Sequence, residues 1–267
     1  MHSLPWRLAA LLLLVAAAAC HPEFSLKTFT SNEALYAASM NEYRHHKWDN
    51  AITGFEKLTT DLPPRDTLLA RSYWFLASAH QQANEFLLAA QSFSRLVESF
   101  PDDSLADDAA LESSRSYSKL WRRPELDPLY GEEAISSYNT LIGLYPNSPL
   151  IPAAEREIAD LENKLAIKEY ETGNYYYSRR LYDSSILYYT DVLTKYGTTP
   201  TARLAEIRIV EAYKAIKYPD AADHCATLRA RFPSDRDVER VCRGVPMVAV
   251  KPDSTAPLPV GSKPPAR

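Results

Sequence analysis

Apolar residues recur along this chain in one repeated phrase, clearest in Ala134-Ile135-Ser136-Ser137-Tyr138-Asn139-Thr140-Leu141-Ile142-Gly143-Leu144-Tyr145-Pro146. Its small and apolar positions fall at i, i+1, i+4, i+7 and i+11, which is one stripe of an α-helix, and the proline closes it. Ala51-Ile52, Phe55, Leu58 and Leu62-Pro63 carry the same skeleton, as do Ala89-Ala90, Phe93, Leu96 and Phe100-Pro101. Ser185-Ile186, Tyr189, Val192 and Tyr196-Gly197 form a fourth copy, and Ala221-Ala222, Cys225, Leu228 and Phe232-Pro233 a fifth. The leading small residues stand at 51, 89, 134, 185 and 221, spacings of 38, 45, 51 and 36.

Each phrase follows a second helical stretch. Thr30 with Glu33 fits a capping box for a helix over 34–47 with Tyr36, Met40 and Tyr43 on one face, and Trp48-Asp49-Asn50 turns it into the Ala51 phrase. Residues 66–83 open the second pair, and Ser104 with Asp107 caps the third, led by Leu111 and Tyr117. Pro124 and Pro128 make Trp121–Tyr130 an enlarged loop. Ser148-Pro149 reads as an N-cap with proline at the first helical position; residues 153–171 form the longest helix, which Gly173-Asn174 ends or bends. Thr199-Pro200 opens the last pair, Asp220 caps the fifth phrase, and 234–241 is a short final helix. The spacings lie at or above the ~34 residues of a tetratricopeptide repeat. The expected fold is therefore all-α: a tetratricopeptide-like α-solenoid over residues 31–243, with about five helix pairs and a C-terminal capping helix, each pair covering the apolar side of the next.

Composition supports that class. The chain has only 7 Gly but 17 Tyr and 46% hydrophobic residues, and strand-like alternation is nearly absent. A net charge of −4 supplies no basic field, so nucleic acid is excluded as an expected partner.

The two ends read differently. Leu8–Ala19 is a run of twelve apolar residues behind His2 and Arg7. Twelve helical residues reach about 18 Å, too short for a ~30 Å bilayer core, so residues 1–19 read as a cleaved signal. Ala17-Ala18-Ala19-Cys20 resembles a bacterial lipoprotein processing site, with Ala17 where leucine is usual. The resemblance implies acylation of Cys20, with residues 20–30 as a lipidated tether; the plainer alternative is a secretory signal with a bystander cysteine. His21, which is not aspartate, directs the expectation to the periplasmic face of the outer membrane. Residues 244–267 hold six of the 19 prolines among Ser, Lys and small residues and read as a Pro-rich disordered tail.

A catalytic site is hard to assemble. There is no Gly-rich phosphate loop, no Gly-x-Ser-x-Gly and no His-Glu-x-x-His. Glu42 with His46, and His45 with Asp49, share helix faces but read as solvated surface, and His80 reads as packed. The expectation is no enzyme activity, no metal and no cofactor. Cys225 fits a core position as a small hydrophobe; alternatively, in an oxidising compartment, it pairs with Cys242 and closes a loop of about 17 residues. Tyr36, Tyr43, Tyr73, Trp74, Tyr117 and Tyr213 lie on first helices, where they either pack between helices or form a recognition surface.

The C-terminal half carries more than repeat character. Leu165-Ala166-Ile167-Lys168-Glu169-Tyr170, Tyr175-Tyr176 and Arg179-Arg180-Leu181-Tyr182, with Asp127-Pro128 in the enlarged loop and Ala212-Tyr213 in the last repeat, resemble the BamD family over roughly Cys20–Pro233. Gly197 replaces that family's usual proline. These are tetratricopeptide lipoproteins of the outer-membrane β-barrel assembly machinery. The resemblance implies docking of the C-terminal repeats onto periplasmic domains of the barrel-forming subunit, with Arg203 matching a docking arginine and Tyr213 nearby. It also implies that the N-terminal repeats receive unfolded outer-membrane proteins, whose extended apolar signals suit a groove of Tyr36, Tyr43, Tyr73 and Trp74. The rivals are a repeat lipoprotein that scaffolds cell-wall or pilus machinery, an enzyme supported by a helical array, and a soluble secreted module.

Overall fold

The computed structural model describes residues 24–249; among them, every regular element is helical. Two compact units divide at Glu85. The first holds a 3-10 turn, Leu26–Thr28, and helices α1 (Asn32–Arg44), α2 (Trp48–Asp61) and α3 (Thr67–Gln82), in which α1 packs on α2 and α3 on both. The second holds α4 (Phe86–Ser99), α5 (Ala106–Leu120), α6 (Leu129–Leu144), α7 (Ile151–Ser178), α8 (Tyr182–Tyr196), α9 (Pro200–Ala215), α10 (Ala221–Arg231) and α11 (Arg236–Val241). Within it each helix packs on the next, and α9 also reaches α7 and α11.

The five phrases are α2, α4, α6, α8 and α10. In every one the residues at i, i+4 and i+7 are buried, from Ala51, Phe55 and Leu58 to Ala221, Cys225 and Leu228. A helical stripe cannot hide on its own helix, so each finds its cover on neighbours. In the second unit the core passes along the chain. One cluster joins α5, α6 and α7 around Tyr138, a second joins α7, α8 and α9 around Tyr189, and a third joins α9, α10 and α11 around Cys225 and Leu228. A core distributed along a line is the mark of a repeat array.

Several helix ends differ from the sequence expectation. The Ser31 hydroxyl, not Thr30, caps α1 by accepting from the Ala34 N–H at 3.2 Å. Asp103 accepts from the Leu105 N–H at 2.9 Å ahead of α5, where Ser104 and Asp107 were expected. Ser148 accepts from the Leu150 N–H, and the helix opens at Ile151 with Pro152, not Pro149, in its first turn. Trp48 begins α2 instead of belonging to the turn, because the turn is already complete at Lys47.

That turn recurs. His46, Asn84, Arg180 and Lys217 follow α1, α3, α7 and α9 with φ near +60°. In each case the next N–H reaches back five residues: Lys47 to the Glu42 carbonyl, Glu85 to His80, Leu181 to Tyr176 and Tyr218 to Tyr213. This is the Schellman closure, in which a left-handed residue satisfies the last helical carbonyls. Glycine usually takes that position; here none of the four is glycine. His45 and His46 therefore lie beyond α1, so the expected shared helix face of Glu42 and His46 does not form.

The link between α5 and α6 is the enlarged loop, but its first residue is core. Trp121 is 1% exposed and packs over Gly131, where a Cβ would land inside the indole. The Lys164 ammonium donates to the Trp121 carbonyl and sits 4.4 Å from the ring centroid. The other correction concerns Gly173. It does not end the helix: α7 runs 28 residues, on through Gly173 to Ser178. Its missing side chain makes the space that the Tyr189 ring fills, and the Tyr189 hydroxyl donates to Asn174 Oδ1 at 2.8 Å.

Candidate functional site

The C-terminal end of the second unit holds an open groove of about 660 Å³. Gly197–Pro200 forms one wall, Arg203 and Leu204 of α9 the floor, and Arg231 and Phe232 at the end of α10 the other wall. Thr199 and Pro200 place the floor, because extended backbone at Thr199 followed by proline starts α9 there. Phe232 ends α10 and turns its ring toward both arginines, with guanidinium carbons 5.7 Å (Arg203) and 5.5 Å (Arg231) from its centroid.

Each arginine has an internal anion. Arg203 Nε donates to Asp235 Oδ2 at 2.9 Å, and Nη2 reaches Asp237 at 3.4 Å. Asp235 also caps α11 by accepting from the Asp237 and Val238 N–H groups. The hydrogen bond from Arg203 holds the Asp235 carboxyl below its ordinary range, and the same bond raises Arg203. Arg231 donates to Glu206 on α9 at 3.3 Å. Glu206 is 3% exposed; burial pushes its carboxyl up to about 7, against the downward pull of Arg231. Leu204, between the arginines' anchor points, is 42% exposed. Two cations, an aromatic ring and an exposed leucine suit a partner that presents carboxylates beside an apolar side chain.

The residues singled out in the sequence fall in different places. Arg203 lines the groove. Tyr213 lies ten residues on, about 15 Å along α9, stacked on Tyr218 and tilted against His224 at centroid distances of 5.4 and 5.5 Å. Burial raises Tyr213 and lowers His224. In the first unit Tyr36 meets Phe55 edge-on, and Tyr43 meets both Trp48 and Phe75. These two rings are packed between helices and half-buried, and burial raises both hydroxyls. Tyr73 and Trp74 are half-buried on α3. His80 is buried, its Nδ1 2.7 Å from Glu85 Oε2. Cys225 and Cys242 are bonded as a disulfide with Cα atoms 5.6 Å apart. Cys20 lies outside the described residues. Leu204, Glu206, Arg231, Phe232 and Asp235 were not singled out. Phe232 closes a phrase, and Asp235, just after Pro233-Ser234, has the form of an N-cap; the pairing of Glu206 with Arg231 leaves no local trace.

The outer membrane lipoprotein (YfiO) family model matches residues 29–228, three quarters of the chain. The chain belongs to this family. Among its relatives, the outer membrane protein assembly factor BamD of Caulobacter vibrioides is 24% identical over 234 residues, covering 86% of this chain and 76% of its own. BamD of Buchnera aphidicola is 24% identical over 209 residues, 74% of this chain and 85% of its own. The family match includes α1 through most of α10 and stops short of α11 and the disulfide's second cysteine. The groove of this YfiO-family chain thus takes one whole wall, Arg231 and Phe232, and the anion that pairs with Arg203, Asp235, from outside the matched region. Among the described residues no helix is long and apolar enough to cross a membrane.

Proposed function

We propose that this chain is a non-catalytic adaptor in outer-membrane β-barrel assembly, held at the periplasmic face of the outer membrane by an acylated Cys20. In this reading the groove of Arg203, Leu204, Arg231 and Phe232 docks a periplasmic domain of the barrel-forming subunit. The N-terminal unit, with Tyr36, Tyr43, Tyr73 and Trp74, receives unfolded barrel proteins. Membership of the lipoprotein family and relatives named as assembly factors support the setting. The observation that carries the docking site is the pair of guanidinium groups flanking one aromatic ring at an open rim.

Affinity purification from detergent-solubilised envelope tests the reading. The native chain should retain a β-barrel subunit. Leu204→Glu removes the groove's exposed apolar side chain and sets a carboxylate where the partner's own carboxylates would lie, and it should weaken retention by about tenfold or more with helical content unchanged. Arg203→Glu should do the same and also loosen α11. Retention of cell-wall or pilus components in place of a barrel subunit would overturn the assignment. Undiminished retention by Leu204→Glu would overturn the site.

A further inference from the structure

The two arginines of the groove answer to anions in opposite surroundings. Asp235, which holds Arg203, is partly exposed and also accepts the Asp237 and Val238 N–H groups. It therefore keeps its charge whether or not Arg203 is engaged elsewhere, and its carboxyl lies below the ordinary range. Glu206 is buried and does not line the groove. Among the described residues Arg231 is its one ion-pair partner, through a single contact of 3.3 Å. Arg231 in turn lines the groove with its side chain 38% exposed, and Glu206 is the one carboxylate it reaches among the described residues.

A guanidinium with one internal contact and an open front is available to a carboxylate arriving from outside. A buried carboxylate that loses its partner has no water to turn to, and it sheds its charge by taking a proton. Glu206 stands close to that point with Arg231 still in place, since burial has pushed it up to about 7. No other cation is free to replace Arg231. On α9 itself, Arg203 is committed to Asp235 and Asp237, and Arg208 to Tyr170 and Glu211. On α10, Arg229 donates to the Cys242 carbonyl, and burial lowers His224. On α11, Arg240 pairs with Asp237; on α8, Lys195 pairs with Asp191. From α7 the neutral Asn163 faces α9 and accepts from the Thr201 hydroxyl at 2.8 Å.

We propose that Arg231 serves Glu206 and a carboxylate of the docked partner in turn, so that docking in the Arg203 groove draws a proton from solution onto Glu206. The inference rests on the docking reading above. The exchange balances: Arg231 keeps its protons, the partner's carboxylate stays ionised, and the one bond made is O–H on the Glu206 carboxyl. Arg203 binds without such an exchange, because Asp235 retains its capping N–H groups. Docking thus lifts the Glu206 carboxyl further above 7, and above that pH the docked chain holds a proton that the free chain has released. Affinity is then greatest below about pH 6 and falls as the pH rises, by about tenfold for each unit of the lift.

Calorimetric titration of the full mature chain with the periplasmic domains of the barrel-forming subunit, from pH 6 to 9, tests this. Kd should weaken about tenfold or more across that range. At pH 8 the heat should differ between phosphate and Tris buffers by the amount that proton uptake requires. Glu206→Gln, a neutral side chain of the same shape, should bind at every pH as the native chain binds at pH 6, with no buffer-dependent heat. Arg231→Gln should bind more weakly and with no pH dependence, since no arginine is left to exchange. A native chain that binds equally from pH 6 to 9 without proton uptake would overturn this inference and leave the docking site standing. The same pH slope in Glu206→Gln would also overturn it, by placing the proton elsewhere. A native chain that binds at no pH would bring down the docking reading, and this inference with it.

Discussion

A methyl group placed on Gly173 would enter the Tyr189 ring, whereas nothing lies within 4 Å of one placed on Gly143. Both glycines are inside helices. Gly173→Ala should therefore lower stability by about 1–3 kcal/mol through overpacking, and Gly143→Ala should raise it by about 0.4–1 kcal/mol by restricting the unfolded chain. Urea denaturation of the two variants, read as midpoints at equal slope, checks the opposed signs. Glu206 makes a second residue-scale prediction. A glutamate ordinarily titrates near 4.5, and burial raises this one to about 7. Between those values the folded chain keeps a proton that the unfolded chain has released, so this group's contribution to stability is greatest below about pH 4.5 and declines until the pH has risen through about 7. Glu206→Gln should remove that decline, a difference on the order of 3 kcal/mol by pH 8. Denaturation curves of the two proteins from pH 4.5 to 8 should diverge; parallel curves would show that Glu206 is ionised without cost. Neither position was legible in the sequence. Gly173-Asn174 resembles a stop signal, and only the facing Tyr189 shows that its role is close packing.

At the scale of elements much more was readable. The second helix of each pair follows directly from its phrase, since burial at i, i+4 and i+7 needs only the helical period. The turns were harder, because the usual glycine signal is missing. His46, Asn84, Arg180 and Lys217 each adopt a left-handed backbone that costs a side-chain-bearing residue about 1–2 kcal/mol. Lys217→Gly should relieve this strain and raise stability by about 0.5–1 kcal/mol, partly offset by the freer unfolded chain. A rise in melting temperature checks it, and a fall would mean that the lysine side chain contributes more than its backbone strain removes. The link between α5 and α6 escapes this pattern. Two prolines correctly marked a long loop, but they concealed that Trp121 is core, because its cover comes from Gly131 and Lys164 on other helices.

For the molecule as a whole, the residue spacings and the all-helical character were legible, and the family match agrees with the resemblance of the 165–182 stretch. The Arg203 groove was legible only at Arg203 itself, because its other members come together from the ends of α9, α10 and α11, with no common periodicity. The disulfide between Cys225 and Cys242 has a consequence when the chain is pulled from its two ends. The 17-residue stretch that it closes would be short-circuited, and tension would pass from α10 directly to Cys242. In a single-molecule tether, complete extension of the oxidised protein should therefore fall about 50–60 Å short of the reduced one. Equal contour lengths with and without reductant would mean that no such covalent shunt exists.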